Sequence, residues 1–335
     1  MKVDTAVRFD EAGIAEQALA AEAAGYAAVW SIESGHDPFL PLAVAAQATE
    51  ALEVGTGIAV AFARNPMNLA VLANDLHLLS GGRFILGLGS QIKPHITKRY
   101  SMPWSHPAPR MRELILAIRA IWESWETGGP LAFRGEFYTH TLMTPFFSPG
   151  PNPYGNPKIM LAGVGTLMTE VAGEAGDGLL AHPFTTEQYL RDVSLPALLA
   201  GAARAGKGRD DLTVSFSGLI ATGSTDEDFE KAVTAVKGQI AFYGSTPAYR
   251  PVLDLHGWGD LQPELNTLSK RGDWEGMGKL VDDQVLEAFA VVASPGDVGS
   301  RVKDRYGDLI DRFSFYIPYP VDDDMSAAIL AGFTD

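Results

Sequence analysis

Residues suited to proton transfer follow the second short apolar run of the chain. Glu33, Ser34 and His36 come directly after this run. Histidine titrates near neutral pH, so His36 is the candidate proton carrier, with Glu33 and Ser34 as neighbouring polar groups. The alternative is structural, with His36 and Asp37 satisfying nearby backbone groups. Spacing leaves both interpretations open.

A second kind of chemistry is indicated where apolar runs end in glycine. Such ends occur at Gly55–Gly57, Gly87–Ser90 and Gly163–Gly165. Glycine lets backbone N–H groups approach a ligand closely, and phosphate is a common ligand of this kind. After Ser90, local positive charge is supplied by Lys93, His95, Lys98 and Arg99. The alternative is close strand packing without a ligand.

Several other chemistries are excluded or disfavoured. The chain has no cysteine, which removes disulfides, thiolate metal sites and a cysteine nucleophile. The histidines show no metal-ligand spacing, so no metal is predicted; His182, after the sixth apolar run, either faces a pocket or is structural. The Rossmann fingerprint and the Walker loop are both incomplete around Gly89.

Net charge argues against nucleic acid and anionic membranes as partners, because it is −15 at pH 7. No apolar run reaches the roughly 18 residues that suggest a membrane span. The first residues lack the regions of a secretory signal. We therefore expect a cytoplasmic protein.

Short apolar runs alternate with longer helical patterns along the chain. The first of the predicted helices covers residues 11–24. The predicted strands are Val3–Val7, Tyr26–Ser31, Leu52–Val60, Phe84–Leu88, Lys158–Ala162, Gly178–His182, Leu212–Leu219 and Arg312–Ile317. Eight strand–helix units predict an α/β fold, a (β/α)8 TIM barrel in one domain; an open doubly wound sheet is the competitor. Insertions are expected at about 127–157, with a hairpin, and at about 244–285.

The ordered set of strand ends resembles the luciferase-like flavin and deazaflavin oxidoreductases. The resemblance rests on Val29–Glu33, Gly55–Ile58, Leu79–Ser90, Met160–Thr166 and Glu174–Gly178. Two later segments, Tyr249–Val252 and Leu255–Gly259, are similar to the branch that uses coenzyme F420, a deazaflavin. The resemblance implies a bacterial luciferase-like TIM barrel and, commonly, a homodimer.

It also implies a planar tricyclic ring in the barrel mouth, with a phosphate-bearing tail along the loops. A cis peptide bond would join Gly57 to Ile58 behind the ring. Cofactor contacts would come from Gly57, Ile58, Val60, Gly89, Ser90, Gln91, His95, Gly163 and Val164.

Two positions depart from the family pattern. Gln91 stands where glycine is usual, which would narrow the phosphate loop or add an amide donor. Ser34 stands where the family's sugar-phosphate dehydrogenases carry histidine, so His36, two residues on, would substitute.

The leading hypothesis is an F420-dependent oxidoreductase that transfers hydride between deazaflavin C5 and a small organic substrate. Glu33 would bind the ring or the substrate, and His36, or less favourably Ser34, would move the proton. Pocket walls would include Phe62, Trp104, Tyr249 and Trp258. The alternatives are an FMN-dependent luciferase-like monooxygenase and a non-catalytic flavin-binding barrel.

Overall fold

The computed structural model describes residues 1–9 and 13–333. Its strands, in chain order, are β1 (Lys2–Ala6), β2 (Ala28–Ser31), β3 (Glu53–Thr56), β4 (Ala59–Val60), β5 (Phe84–Gly89), β6 (Phe133–Arg134), β7 (Thr139–His140), β8 (Lys158–Gly163), β9 (Gly178–Ala181), β10 (Thr213–Ala221), β11 (Ala290–Val292) and β12 (Arg312–Tyr316).

Helices follow most of these strands. They are α1 (Ile14–Ala23), α2 (Phe39–Ala48), α3 (Pro66–Leu79), α4 (Pro107–Thr127), α5 (Thr166–Glu174), α6 (Glu187–Tyr189), α7 (Leu195–Arg204), α8 (Asp226–Gly244), α9 (Arg250–Leu255), α10 (Leu261–Arg271), α11 (Trp274–Lys279), α12 (Asp283–Phe289), α13 (Val298–Tyr306) and α14 (Asp323–Ala331). The predicted start of the first helix, Glu11, lies outside the described residues.

Eight parallel strands close into a barrel in the order β1-β2-β3-β5-β8-β9-β10-β12. Closure is completed where Lys2 of β1 pairs in register with Arg312 of β12. The TIM-barrel prediction is therefore confirmed, and the open doubly wound sheet is wrong. The short strand β11 was not predicted; it pairs with the carboxyl end of β10.

Local sequence explains why these elements form where they do. All six residues of β5 are buried, as expected for an apolar strand with helices on its outer side. At the start of α3, the Asn65 side chain accepts a hydrogen bond from the Asn68 backbone N–H, and Pro66 occupies the first turn. These signals explain why α3 begins at Pro66.

The amino-terminal end of the barrel is filled by a buried ionic cluster. Arg312 donates hydrogen bonds of 2.7 Å to both carboxylate oxygens of Asp4 and one of 2.6 Å to Glu53. Asp4 also accepts a hydrogen bond of 3.0 Å from the Trp30 indole. Because every partner comes from a barrel strand, the cluster fixes the relative register of β1, β2, β3 and β12.

Two segments extend from the barrel. The predicted hairpin is confirmed: Phe133 pairs with His140 in the antiparallel ladder of β6 and β7. The longer segment forms α9–α12, and both α10 and α11 pack against α8. Among residues 1–9 and 13–333, no helix is long and apolar enough to cross a membrane.

Candidate active site

Alternation along the strands determines which side chains reach the barrel mouth, meaning the carboxyl ends of its eight strands. Five residues pack together inside the barrel, namely Ala28, Trp30, Ile85, Met160 and Leu180. Alternate residues of a strand share a face, so the next inward positions are Gly87 after Ile85, Ala162 after Met160 and His182 after Leu180. Because β5, β8 and β9 are neighbours, two small residues and one large polar ring lie side by side in this part of the mouth.

The glycines of β5 are required by neighbouring residues. A Cβ on Gly87 would lie 1.8 Å from the backbone oxygen of Thr56. A Cβ on Gly89 would lie 2.8 Å from the Ile58 side chain. At these two positions the structural interpretation is sufficient, because glycine lets β5 pack closely against its neighbour.

The peptide bond between Gly57 and Ile58 is cis, which confirms the predicted bulge between β3 and β4. The Gly57 N–H donates to the Ser31 carbonyl at 2.8 Å, and the Glu33 N–H donates to the Ile58 carbonyl at 3.3 Å. The bulge is therefore held by the residues that follow β2. Ile58 is partly exposed, whereas Val60 is fully buried.

Glu33 is the centre of that attachment. One carboxylate oxygen accepts hydrogen bonds from the Val60 N–H at 2.7 Å and from Arg64 at 2.6 Å. The other oxygen accepts from the Tyr100 hydroxyl at 2.9 Å. The side chain is only 6% exposed. Glu33 thus joins three segments of the chain, and both of its oxygens are already engaged by protein groups.

His36 and Ser34 lie in the loop after β2, residues 32–38, which we call the β2 loop. Both side chains are exposed, and the His36 ring packs against Phe9 with centroids 4.7 Å apart. The Ser34 carbonyl accepts a hydrogen bond from Arg99. Asp37 accepts hydrogen bonds from the first backbone N–H groups of α2, so the structural interpretation holds for Asp37.

The backbone of the loop after β5 shows why glycine would be favoured at the position of Gln91. Its φ is +58°, in the left-handed region that glycine adopts most readily. The Gln91 side-chain oxygen accepts from the Ile92 N–H at 3.0 Å, and the Ser90 hydroxyl donates to the Gln91 carbonyl at 3.1 Å. His95 is exposed and begins a π-helical turn, His95–Arg99.

A different arrangement follows β8. Gly163 is half-buried, and the Val164 carbonyl accepts a hydrogen bond of 3.3 Å from Tyr189. Gly165 occupies the N-cap position of α5 with φ −79°, and within the described chain no side chain caps this helix. A Cβ on Gly165 would meet no atom within 4 Å. The N-terminus of α5 is therefore uncapped by a side chain and unobstructed beside Gly165, as an anion site requires.

On the neighbouring strand, His182 begins the loop after β9, residues 182–186, which we call the β9 loop. Its Nδ1 accepts a hydrogen bond from the Phe184 N–H at 3.0 Å, and its Nε2 lies 3.1 Å from the Tyr249 hydroxyl. Burial lowers the pKa of His182 to about 4. The imidazole is therefore neutral at physiological pH.

Further aromatic residues surround this pair. The Tyr243 ring packs edge-on against His182 at 4.9 Å, and its hydroxyl lies 3.0 Å from that of Tyr316. Burial raises the pKa of Tyr243, so its hydroxyl stays protonated. Neither Tyr243 nor Tyr316 was singled out from the sequence. Both lie at strand or helix ends with no motif around them.

The predicted pocket residues divide into different groups. Phe62 is fully buried under Arg110, so its prediction as a pocket wall is wrong; it fills the core between helices. Trp104 packs on Phe62, and Trp258 stacks on His256. Tyr249, in contrast, reaches the strand ends, because its hydroxyl is hydrogen-bonded to His182.

Strand pairing shows which predicted residues are brought together. Val60 pairs with Gly89, and Leu88 pairs with Leu161, so the β3, β5 and β8 ends are adjacent. Four strand positions separate β2 from β9 in the eight-stranded order, which places His36 and His182 on opposite sides of the mouth. Within the part of the chain that the structure describes, no group of acidic residues and histidines is placed to hold a metal ion.

Comparison with known proteins agrees with this geometry. A family model described as luciferase-like monooxygenase matches residues 3–312. The chain belongs to this family of oxidoreductases. It is 53% identical over 312 residues to the uncharacterized protein Rv1360 of Mycobacterium tuberculosis, covering 93% of this chain and 92% of that protein.

Relatives with named activities are more distant. The chain is 29% identical over 294 residues to 5,10-methylenetetrahydromethanopterin reductase of Archaeoglobus fulgidus, covering 85% of this chain and 83% of the relative. A solved structure of the coenzyme F420-dependent tetrahydromethanopterin reductase of Methanopyrus kandleri aligns with a TM-score of 0.78 at 20% identity, over 99% of this chain and 96% of that one.

A monooxygenase structure shares the same fold. The oxygenating component of 3,6-diketocamphane monooxygenase from Pseudomonas putida, solved with FMN, aligns with a TM-score of 0.68 at 16% identity. The alignment covers 99% of this chain and 96% of that one. The fold therefore accommodates F420-dependent and FMN-dependent proteins alike.

Proposed function

We propose that the chain is an F420-dependent oxidoreductase acting on a small organic carbonyl compound or activated double bond. The observation that carries the proposal is the open α5 N-terminus at Gly165, close to the Gly57–Ile58 bulge across the β8, β5 and β4 ends. When bound, F420 supplies a ring carbon that accepts or donates a hydride. Similarity to the reductase of Archaeoglobus fulgidus supports this choice of cofactor.

The donors on this side of the mouth fit an anionic cofactor. The first-turn N–H groups of α5 offer hydrogen bonds, and the Ser90 hydroxyl would offer one on leaving the Gln91 carbonyl. His95, Lys98 and Arg99 lie on the π-helical turn that follows. An acidic protein holds an anion through such local groups, since its net charge is −15. We propose that Gly163, Val164, Ser90, Gln91 and His95 hold the tail.

Residues near the bulge would place the ring. Gly57, Ile58 and Gly89 form one continuous surface, and Val60 is fixed by Glu33. We therefore propose that Glu33 acts by holding the bulge in place. Proton delivery by His36, with Ser34 as the less favoured carrier, stays a prediction; His36 is solvent-exposed and would deliver the proton through water.

A fluorescence titration of the full chain with F420, and separately with FMN, tests the proposal. F420 is expected to bind at micromolar concentration or tighter, and to be displaced by excess F420 analogue but not by FMN. Tight binding of FMN with no binding of F420 would overturn it. That result would favour the FMN-dependent monooxygenase, whose fold is also represented among the structural neighbours.

The non-catalytic flavin-binding barrel is the remaining alternative. Both oxygens of Glu33 are engaged by protein groups, and His36 lies in solvent, so the predicted proton machinery is not assembled around one point. Reduction of bound F420 by an alcohol, or oxidation of bound reduced F420 by a carbonyl compound, would exclude this alternative. Cofactor binding without turnover on any such compound would support it.

We also propose a cytoplasmic homodimer. The outer faces of α1, α2 and α3 expose neighbouring apolar side chains, namely Leu19, Leu40, Val44, Val71 and Leu78. Exposed apolar side chains on helices that pack side by side favour association. Light scattering of the wild type and of Val44→Glu tests this, with the exposed Leu142→Glu as control; a monomeric wild type would contradict it.

A further inference from the structure

His182 and Tyr249 are hydrogen-bonded to each other, and the proposed hydride transfer assigns no role to this pair. The Phe184 N–H donates to Nδ1 of His182, so Nδ1 carries no proton in the neutral ring. The proton must then lie on Nε2, which is 3.1 Å from the Tyr249 oxygen. His182 therefore donates, and Tyr249 accepts.

This assignment leaves the hydroxyl proton of Tyr249 available. Among hydrogen bonds between described residues, the contact with His182 is the one that the Tyr249 hydroxyl makes. Burial raises the pKa of Tyr249, so the phenol keeps its proton. Its oxygen already accepts from His182, and a phenol polarised in this way is a better donor to a third group.

The ring of Tyr249 is also fixed in position. It packs on His182 at 4.6 Å, on Phe184 at 5.8 Å and on Tyr243 at 6.3 Å between ring centroids. Tyr249 is nevertheless only partly buried. A donor that is held rigidly on a residue that is not fully buried is suited to binding a ligand oxygen.

The surroundings determine which oxygen fits. Tyr249 packs against a hydrophobic cluster whose other partly buried members include Val164, Tyr316, Trp258 and Val292. A carboxylate or phosphate would lose its hydration there without a positive partner, whereas a carbonyl needs only one donor. The cluster thus favours an uncharged apolar molecule with a single acceptor oxygen.

We infer that Tyr249 is the hydrogen-bond donor for the carbonyl oxygen of an uncharged, apolar substrate, and that His182 is the residue that positions it. The inference rests on the proposed function and names the substrate class of that site. It also predicts that sugar phosphates are poor substrates.

Binding of two matched probes to the full chain, without cofactor, tests the inference. Acetophenone has the acceptor oxygen, and α-methylstyrene has the same shape with a methylene group in its place. Binding is followed by the ring carbon–proton NMR signal of His182 in histidine-labelled protein, assigned with His182→Gln. Benzoate is the charged comparison.

Acetophenone is expected to shift the His182 signal and to bind about five- to tenfold more weakly to Tyr249→Phe, the effect of one lost hydrogen bond. Binding of α-methylstyrene should be the same in both proteins. Tyr154→Phe, a change of the same kind on an exposed tyrosine, is the control. Equal effects of Tyr249→Phe on both probes, or none, would overturn the inference.

The positioning role has its own readout. In His182→Gln the amide retains a donor for Tyr249 and an acceptor for the Phe184 N–H, so acetophenone affinity should remain within about threefold of wild type. In His182→Leu both are lost, and affinity should match that of Tyr249→Phe. Wild-type affinity in His182→Leu would show that His182 does not position the donor.

These outcomes are separable from the proposed function. If the protein binds neither F420 nor FMN, the proposed function fails, whatever the probes do. If it binds F420 but the two probes respond alike to Tyr249→Phe, the inference fails alone. With F420 present, Tyr249→Phe should lower kcat/KM for a ketone and leave F420 affinity within about twofold.

Discussion

The β2 loop and the β9 loop lie on opposite sides of the barrel mouth, and their polar residues have different surroundings. In the β2 loop, the carboxylate of Glu33 is enclosed by Arg64, Tyr100 and a backbone N–H, while His36 is left in solvent. In the β9 loop, His182 is enclosed by aromatic rings and bonds to Tyr249.

The difference shows that residue type alone does not identify the functional group. His36 had the more suggestive neighbours in sequence, yet alternation along β9 directs His182 inward. A charged network suits the task of holding a backbone bulge. A neutral, directional pair suits the task of receiving an uncharged ligand.

The largest expected effect is on the β2 side. Glu33→Ala should lower the free energy of unfolding by about 3 kcal/mol, because it removes the nearer and more buried carboxylate partner of Arg64, leaving the exposed Asp37, and releases Val60 and Tyr100. Urea unfolding measures the change. Glu227→Ala, which removes an exposed partner of Lys231, is the control and should change little. A loss below about 1 kcal/mol for Glu33→Ala would mean that the network does not hold the bulge.

On the β9 side, we expect the free energy of unfolding to depend on pH. The pKa of His182 is about 4 in the folded protein and near 6.5 when unfolded, so the unfolded state binds the extra proton as pH falls between these values. Stability is unaffected above pH 6.5 and declines below it, by about 2 kcal/mol at pH 5. Unfolding free energies of wild type and His182→Gln, measured from pH 7.5 to 5, should converge as pH falls. A constant difference would show that His182 is not buried as a neutral ring.

The smallest effect is expected from His36→Ala. Its ring is exposed and rests on the equally exposed Phe9, so stability and F420 affinity should both stay close to wild type, within about twofold for affinity. Fluorescence titration measures the affinity. A tenfold or greater loss of F420 affinity would mean that the β2 loop contacts the cofactor. The functional difference drawn between the two loops would then be wrong.

The barrel could be predicted because each strand is a short apolar run with turn residues at its ends, as in Phe84–Leu88. The cis bond at Gly57–Ile58 followed from a family resemblance. The partners of Glu33 could not be predicted, since Arg64 and Tyr100 are 31 and 67 positions away in sequence.

The pairing of His182 with Tyr249 also spans 67 positions and depends on how a helical segment folds back over the mouth. Local patterns report strands and turns, whereas such contacts depend on the packing of whole elements. Gln91 is an intermediate case. Its departure from the family's glycine could be recognised in the sequence, but its left-handed backbone conformation could not.

The most direct test of the cofactor assignment is F420 affinity in Gly165→Asp and Gly165→Ser. Both residues are good N-caps at a site with open space, so each variant should be at least as stable as wild type. Aspartate also brings a negative charge to the proposed tail site, and F420 should bind at least about tenfold more weakly than to the serine variant. Equal F420 affinity in the two variants would contradict binding of the tail at α5.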